Sequence, residues 1–583
     1  MLGLGLAVAW ASARAESAQR LTYTSATGVT FVVTADGLSS VAVGERTLAE
    51  GGWYVWNAGP GWFKRGEAGV LSYAGYSKEV YRQAATLVQE KTLAVISPTH
   101  VRVRHVQPDA VATHDYLFDG EDVTVRCRIE NNHTTVPLAI PALGGLRFAF
   151  TRVPDGILPV WHMSYLQAVG SGAFHPSHLN KIGGSYAADN TAGVGVTPLG
   201  AALEQTLVFW DYDKWNPTAA DKASRWLTFM GNDAVPPGGA LTLSLKLRVS
   251  PTVDWQHLLQ PYKEHFLAVY GGKQYSTDFR CVAVAHVNRN KEAIGPGNPY
   301  GFHGGFRRLD LPAEVGKLCD TIIPGLKAAN GQGLIIWGQG GQEPRGEMYR
   351  ADFDVLPPEV DANWQTLAAR FREAGLRLGV CTRPRHLHVR LDWQNDGTID
   401  LNPDDPQHLS ILWNRFKRMI DKGCTLFYLD SFGNSLEDVK TMRYLRQQMG
   451  PDIRTYAEHA CDVLAVYSAF YSETDFWAKG SADWVTEDQW VPRTGVKFLE
   501  IVNWMLGPVP VISRAYDIHG KIPDGFETSD EFFYRHVLSP MIEDYMLGEA
   551  AARLRPRQDR YVNEDGSLKE SAAVRAADPA NEE

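Results

Sequence analysis

The chain has 583 residues, of which 44% are hydrophobic and 21% charged, and a formal net charge of -10. That length exceeds what one core organises, so two or three domains are expected. The acidic balance argues against a nucleic-acid binder, which would carry a basic face, and gives no attraction to anionic membranes.

Leu2 to Ala11 is an apolar run, and Ala13-Arg14-Ala15 forms an A-x-A cleavage pattern. Residues 1–15 therefore read as a signal peptide, although its positive leading segment is missing. A buried first element is the alternative. The expected destination is secreted or periplasmic. The run is too short to span a bilayer, and no later stretch could.

Residues 20–250 read as an antiparallel β-sandwich. Val123, Val125, Cys127 and Ile129 alternate with Thr124, Arg126 and Arg128, the period of a half-buried strand. Leu241, Leu243, Leu245, Leu247 and Val249 repeat the pattern. Residues 251–275 read as a helical linker closed by Gly271-Gly272.

From 276 to 552 strands and helices alternate. Apolar strand candidates end near His286, Trp337, Thr382, Asp430, Glu458, Glu487 and Arg514. Between them lie amphipathic stripes such as Val360, Trp364, Leu367 and Phe371. This order predicts a (β/α)8 TIM barrel, with an open doubly wound sheet as the alternative. The eighth strand is weakest: a helix is expected over 531–547, then a strand over Ala550–Leu554. Residues 553–583 are charged and Ala-rich and are expected to be disordered.

The six cysteines show no C-x-x-C spacing, so neither a zinc framework nor a disulfide scaffold is implied. No dinucleotide fingerprint or Walker loop is present. No paired histidines have metal-binding spacing. No cofactor or metal site is expected.

The most informative stretch runs from Thr398 to Gly433. Asp405 suits a helix N-cap and Pro406 the first helical position. Leu409, Leu412, Phe416, Met419 and Ile420 make one apolar stripe, and Gly423 is a stop. Cys424 to Leu429 is a strand apolar on both faces, and it ends in Asp430. In a parallel barrel the carboxyl ends of strands carry the chemistry. The same rim would hold Trp337, Arg383, Tyr428, Glu458, Glu487, Asp488, Ser513 and Arg514. Several carboxylates among arginines and tryptophans suit glycoside hydrolysis, where one carboxylate stays ionised and another holds a proton. The residues alone leave open that any of these acids only caps a helix.

The order of sandwich, helix and barrel resembles the α-galactosidase-like and α-glucosidase-like retaining hydrolases, whose sandwich resembles galactose mutarotase. The segment Ile399-Asp-Leu-Asn-Pro-Asp-Asp-Pro, followed by a helix and Gly423-Cys-Thr-Leu-Phe-Tyr-Leu-Asp430, is similar to the passage before their nucleophile. The resemblance implies Asp430 as nucleophile. It leaves two sources for the acid. A strand-six acid selects Asp488 or Glu487. The strand-five pattern of α-amylase-like and mucin-glycan-releasing barrels selects Glu458. The implied activity is retaining hydrolysis of an α-linked oligo- or polysaccharide. Trp337, Arg383, Tyr428, Glu487 and Arg514 would line the sugar site. An inactive glycan-binding protein on this scaffold is the alternative.

Overall fold

The computed structural model describes residues 20–57, 63–65, 71–73, 84–138, 141–156, 182–201, 203, 206–211, 218, 223–231, 233–287, 296, 311–341, 356–388, 398–433, 435–472, 491–513, 538–544, 547–548, 555–556 and 558–570. The candidate leader, Glu487, Asp488 and Arg514 lie outside them. The chain divides into two compact units, Met1–Gly271 and Gly272–Glu583.

The first unit is a sandwich of two seven-stranded antiparallel sheets. One runs, in spatial order, Arg20–Thr24, Val29–Thr34, Gly37–Val43, Arg46–Asn57, Pro141–Ala149, Ser224–Gly231, Thr206–Asp211. The other runs Ser185–Ala188, Gly193–Pro198, Ala240–Ser250, Asp122–Asn131, Ala110–Asp119, His100–Val106, Glu90–Ser97. The alternation noted above sets the register. Val123 faces Leu247, Val125 faces Leu245 and Cys127 faces Leu243, so one face of each strand is buried. Phe31 and Tyr23 of one sheet pack on Phe118 of the other.

The helix Trp255–Tyr270 starts at the N-cap Asp254 and ends at Gly271, with φ of 71°. Read as a linker from sequence, it belongs to the first unit and lies on a glycine-floored patch of sheet. A Cβ at Gly195 would sit 2.0 Å from the Leu258 carbonyl oxygen, so only glycine admits the helix here.

The second unit is a closed barrel of eight parallel strands. They are β1 (Val282–His286), β2 (Gly333–Trp337), β3 (Arg377–Thr382), β4 (Cys424–Leu429), β5 (Arg454–Ala457), β6 (Ala469–Ser472), β7 (Val511–Ser513) and β8 (Leu538–Glu543). Crossover helices include α1 (Leu311–Ala328), α2 (Pro358–Glu373), α3 (Pro406–Asp421), α4 (Leu436–Met449) and α5 (Val491–Leu506). Val282, Val284, Ile335, Cys381, Leu426, Tyr428, Tyr456, Tyr471, Ile512 and Met541 fill the interior. In α3 the Asp405 side chain accepts from the Gln407 amide, and Leu412, Phe416 and Met419 are buried, as the stripe requires. All six cysteines are free and buried, consistent with small apolar fillers.

Three sequence expectations need correction. Strand six is Ala469–Ser472 rather than a strand ending at Glu487. With four residues it has no period to detect. Strand eight is Leu538–Glu543, inside the stretch expected as a helix and not at Ala550–Leu554. Pro540 lies within it, a residue that a helix interior excludes. Part of the expected disordered tail is folded. Tyr561 and Val562 are buried against Phe279, and Gln558 accepts from the Cys281 amide at 2.7 Å. A few apolar residues among many charges suffice because they land on the barrel's amino-terminal end.

Candidate active site

The register of three neighbouring strands builds the site. Thr382 pairs with Leu429, and Leu429 pairs with Ala457. The next residues, Arg383, Asp430 and Glu458, therefore form one row at the carboxyl ends of β3, β4 and β5. The Asp430 amide donates to the Thr382 carbonyl at 2.8 Å, and the Glu458 amide to the Leu429 carbonyl at 3.0 Å. Cys381, Tyr428 and Tyr456, two residues earlier, point into the barrel. The two-residue period of a strand brings the row to the same interior, one layer higher.

Arg383 Nε donates to Asp430 Oδ2 at 2.7 Å, with side chains only 7% and 11% exposed. The guanidinium compensates a carboxylate that would otherwise be costly to bury. Glu458 neighbours Asp430 and accepts from the Ser431 amide. Burial, then the Asp430 charge, push its carboxyl from 4.5 up to about 7, while neighbouring His459 and the Ser431 amide pull the other way. One carboxyl is thus salt-bridged, and its neighbour holds a proton near neutral pH.

Ser431 has φ of 54°, a left-handed conformation that costs a non-glycine residue about 1–2 kcal/mol. That sharp turn aims its amide at Glu458. Gly433, with φ of 117°, lies where a Cβ would come within 2.2 Å of the His459 carbonyl oxygen. The turns after β4 and β5 therefore lie directly against each other.

Tyr428 is 1% exposed and forms the floor, its ring 4.5 Å from Trp337 and 5.1 Å from Tyr471. Trp337 is half-buried beside His286, with ring centroids 5.3 Å apart. The structure thus brings together Trp337, Arg383, Tyr428, Asp430 and Glu458. Glu487 and Asp488 fall between β6 and α5, outside the described residues, as does Arg514 after β7. Sequence reasoning missed Ser431, whose part is a backbone conformation. Among the described residues no group of three or more His, Cys, Asp and Glu is placed to hold a metal ion.

No family model matches the sequence, and no curated protein matches it. Solved structures do resemble the fold. The α-N-acetylgalactosaminidase NagBb from Bifidobacterium bifidum, in complex with GalNAc, matches with a TM-score of 0.55 and 13% identity. The match covers 96% of this chain and 92% of that one. Its ligand-free form matches with a TM-score of 0.56 and 12% identity, covering 93% of both chains. At such identity the likeness is one of fold, sandwich followed by barrel.

Proposed function

We propose that the protein is an exported glycoside hydrolase that cleaves an α-linked glycan with retention. One observation carries this reading: Asp430 and Glu458 end adjacent barrel strands, the first salt-bridged to Arg383 and the second holding its proton to about 7. Asp430 attacks the anomeric carbon and displaces the leaving oxygen. Glu458 gives that oxygen its proton, then removes one from the water that hydrolyses the glycosyl-enzyme. Arg383 orients Asp430 and compensates its charge. Trp337 offers an aromatic face to a sugar ring.

The charge on Asp430 acts directly on the Glu458 carboxyl. That proximity favours a second reading, in which Asp488 or Glu487 is the acid and Glu458 tunes Asp430.

The test is turnover of a panel of nitrophenyl α- and β-glycosides by wild type and Asp430→Asn. The α-N-acetylgalactosaminide comes first, given the enzyme of like fold. Turnover on an α-glycoside, lost in the variant, with the α-anomer formed first by proton NMR, supports the reading. Unchanged turnover in Asp430→Asn defeats it. Saturable sugar binding without turnover in wild type would instead indicate a glycan-binding protein on this scaffold.

A further inference from the structure

Behind the carboxyl row lies a second buried carboxylate, Asp438 in the first turn of α4, with its side chain 1% exposed. Its contacts exceed what a helix start needs. Ser435 and Asp438 form a capping box, which satisfies the end of α4 by itself. Asp438 additionally accepts from the Gly433 amide at 2.8 Å. It also receives both Nε, at 2.7 Å, and Nη2 of Arg385. Arg385 belongs to the turn after β3, two residues beyond Arg383. Arg415, fully buried on α3, holds that turn as well, donating to the His386 carbonyl at 2.8 Å. One carboxylate therefore fastens the turn that carries Arg383 to the turn that carries Ser431.

We propose that Asp438, with Arg385, is a positioning residue: it locks the left-handed turn after β4 so that the Ser431 amide stays on Glu458 and Arg383 stays on Asp430. The inference rests on the two-carboxylate reading above. Asp438 acts on the row through the backbone, accepting from the Gly433 and Ser435 amides. That backbone is also tied to the next strand, because the His459 amide donates to the Phe432 carbonyl at 2.9 Å. Releasing the turn would relax Ser431 from its left-handed state and withdraw its N–H from Glu458. The charged groups facing Glu458 among the described residues, Asp430 and His459, would remain, as would the Tyr428 phenol. Losing a donor to the carboxylate form raises an acid's pKa. The consequence is therefore an upward move of the Glu458 titration.

The experiment is carbon NMR of protein labelled at the glutamate side-chain carboxyl carbons, titrated from acid to alkaline pH. Wild type, Glu458→Gln, Asp438→Asn and Arg385→Gln are compared. The signal absent from Glu458→Gln is assigned to Glu458. It should titrate near 7 in wild type and higher by about half to one pH unit in folded Asp438→Asn. Arg385→Gln breaks the pair from its more exposed side and carries the same prediction if Asp438→Asn does not fold. An unmoved midpoint in a folded variant overturns the positioning role. A wild-type midpoint in the ordinary carboxylate range overturns the two-carboxylate reading, and the positioning role with it.

Discussion

The two ends of the barrel use the same side chains to opposite ends. At the amino-terminal end, one buried carboxylate, Asp278, meets two guanidiniums. Arg280 Nη2 lies 2.7 Å away, and Arg454 is also in contact. Gln332 joins the network, accepting from Arg454 at 3.1 Å and donating to the Arg280 carbonyl at 2.7 Å. The 558–570 segment closes over it, with the Phe279 amide donating to the Gly566 carbonyl at 3.0 Å. At the carboxyl end, the Arg383 guanidinium pairs with Asp430, and the carboxyl of the adjacent Glu458 is pushed up to about 7 by burial and the Asp430 charge. Surplus positive charge leaves an acid with nothing to do but hold structure. Surplus carboxyl leaves one acid protonated, and hence able to donate.

If that contrast is right, substitutions at the two ends should separate activity from stability. The largest effect belongs to Asp430→Asn. Turnover on a nitrophenyl α-glycoside should fall on the order of 10,000-fold, with a smaller loss of denaturant stability than at the other end. Asp278→Asn should do the reverse, costing about 3–5 kcal/mol in urea unfolding because buried arginines lose their partner. The folded remainder should keep its turnover. Deleting residues from 555 onward should cost about 3 kcal/mol, since Tyr561 and Val562 lose their buried sites at the closed end.

The smallest effect depends on pH. Glu458 has a folded value near 7 against an ordinary 4.5, so its ionisation opposes folding. That penalty is absent below 4.5, grows as pH rises, and is complete above 7. Glu458→Gln should therefore stabilise the protein by about 1–3 kcal/mol at pH 8 and hardly at all at pH 4. Equal effects at both pH values would contradict a protonated Glu458.

The carboxyl end of the barrel was more legible in the sequence than the amino-terminal end. Cys424 to Asp430 announced itself because its helix is capped and striped and its strand is wholly apolar. Glu458 followed from the same logic on the next strand. Arg383 was read as one of the rim arginines among the carboxylates, and its place on Asp430 in particular needed the β3–β4 register. Asp438 reads as an ordinary first-turn acid because its partner Arg385 is 53 residues away. The 558–570 segment was misread for a related reason. Its charges suggest disorder until the surface that Tyr561 and Val562 cover is known. Asp488 and Glu487 were tied to a strand that lies elsewhere, and their part in acid catalysis remains a proposal.

Chemical rescue tests the assignment of Asp430 most directly. Asp430→Gly opens space at the anomeric carbon, and azide can then attack an activated nitrophenyl α-glycoside from the side the carboxylate would have used. Restored turnover with a β-glycosyl azide as product is the predicted result. An α-glycosyl azide would make Asp430 the acid and base instead, and variant activity equal to wild type without azide would remove it from the chemistry.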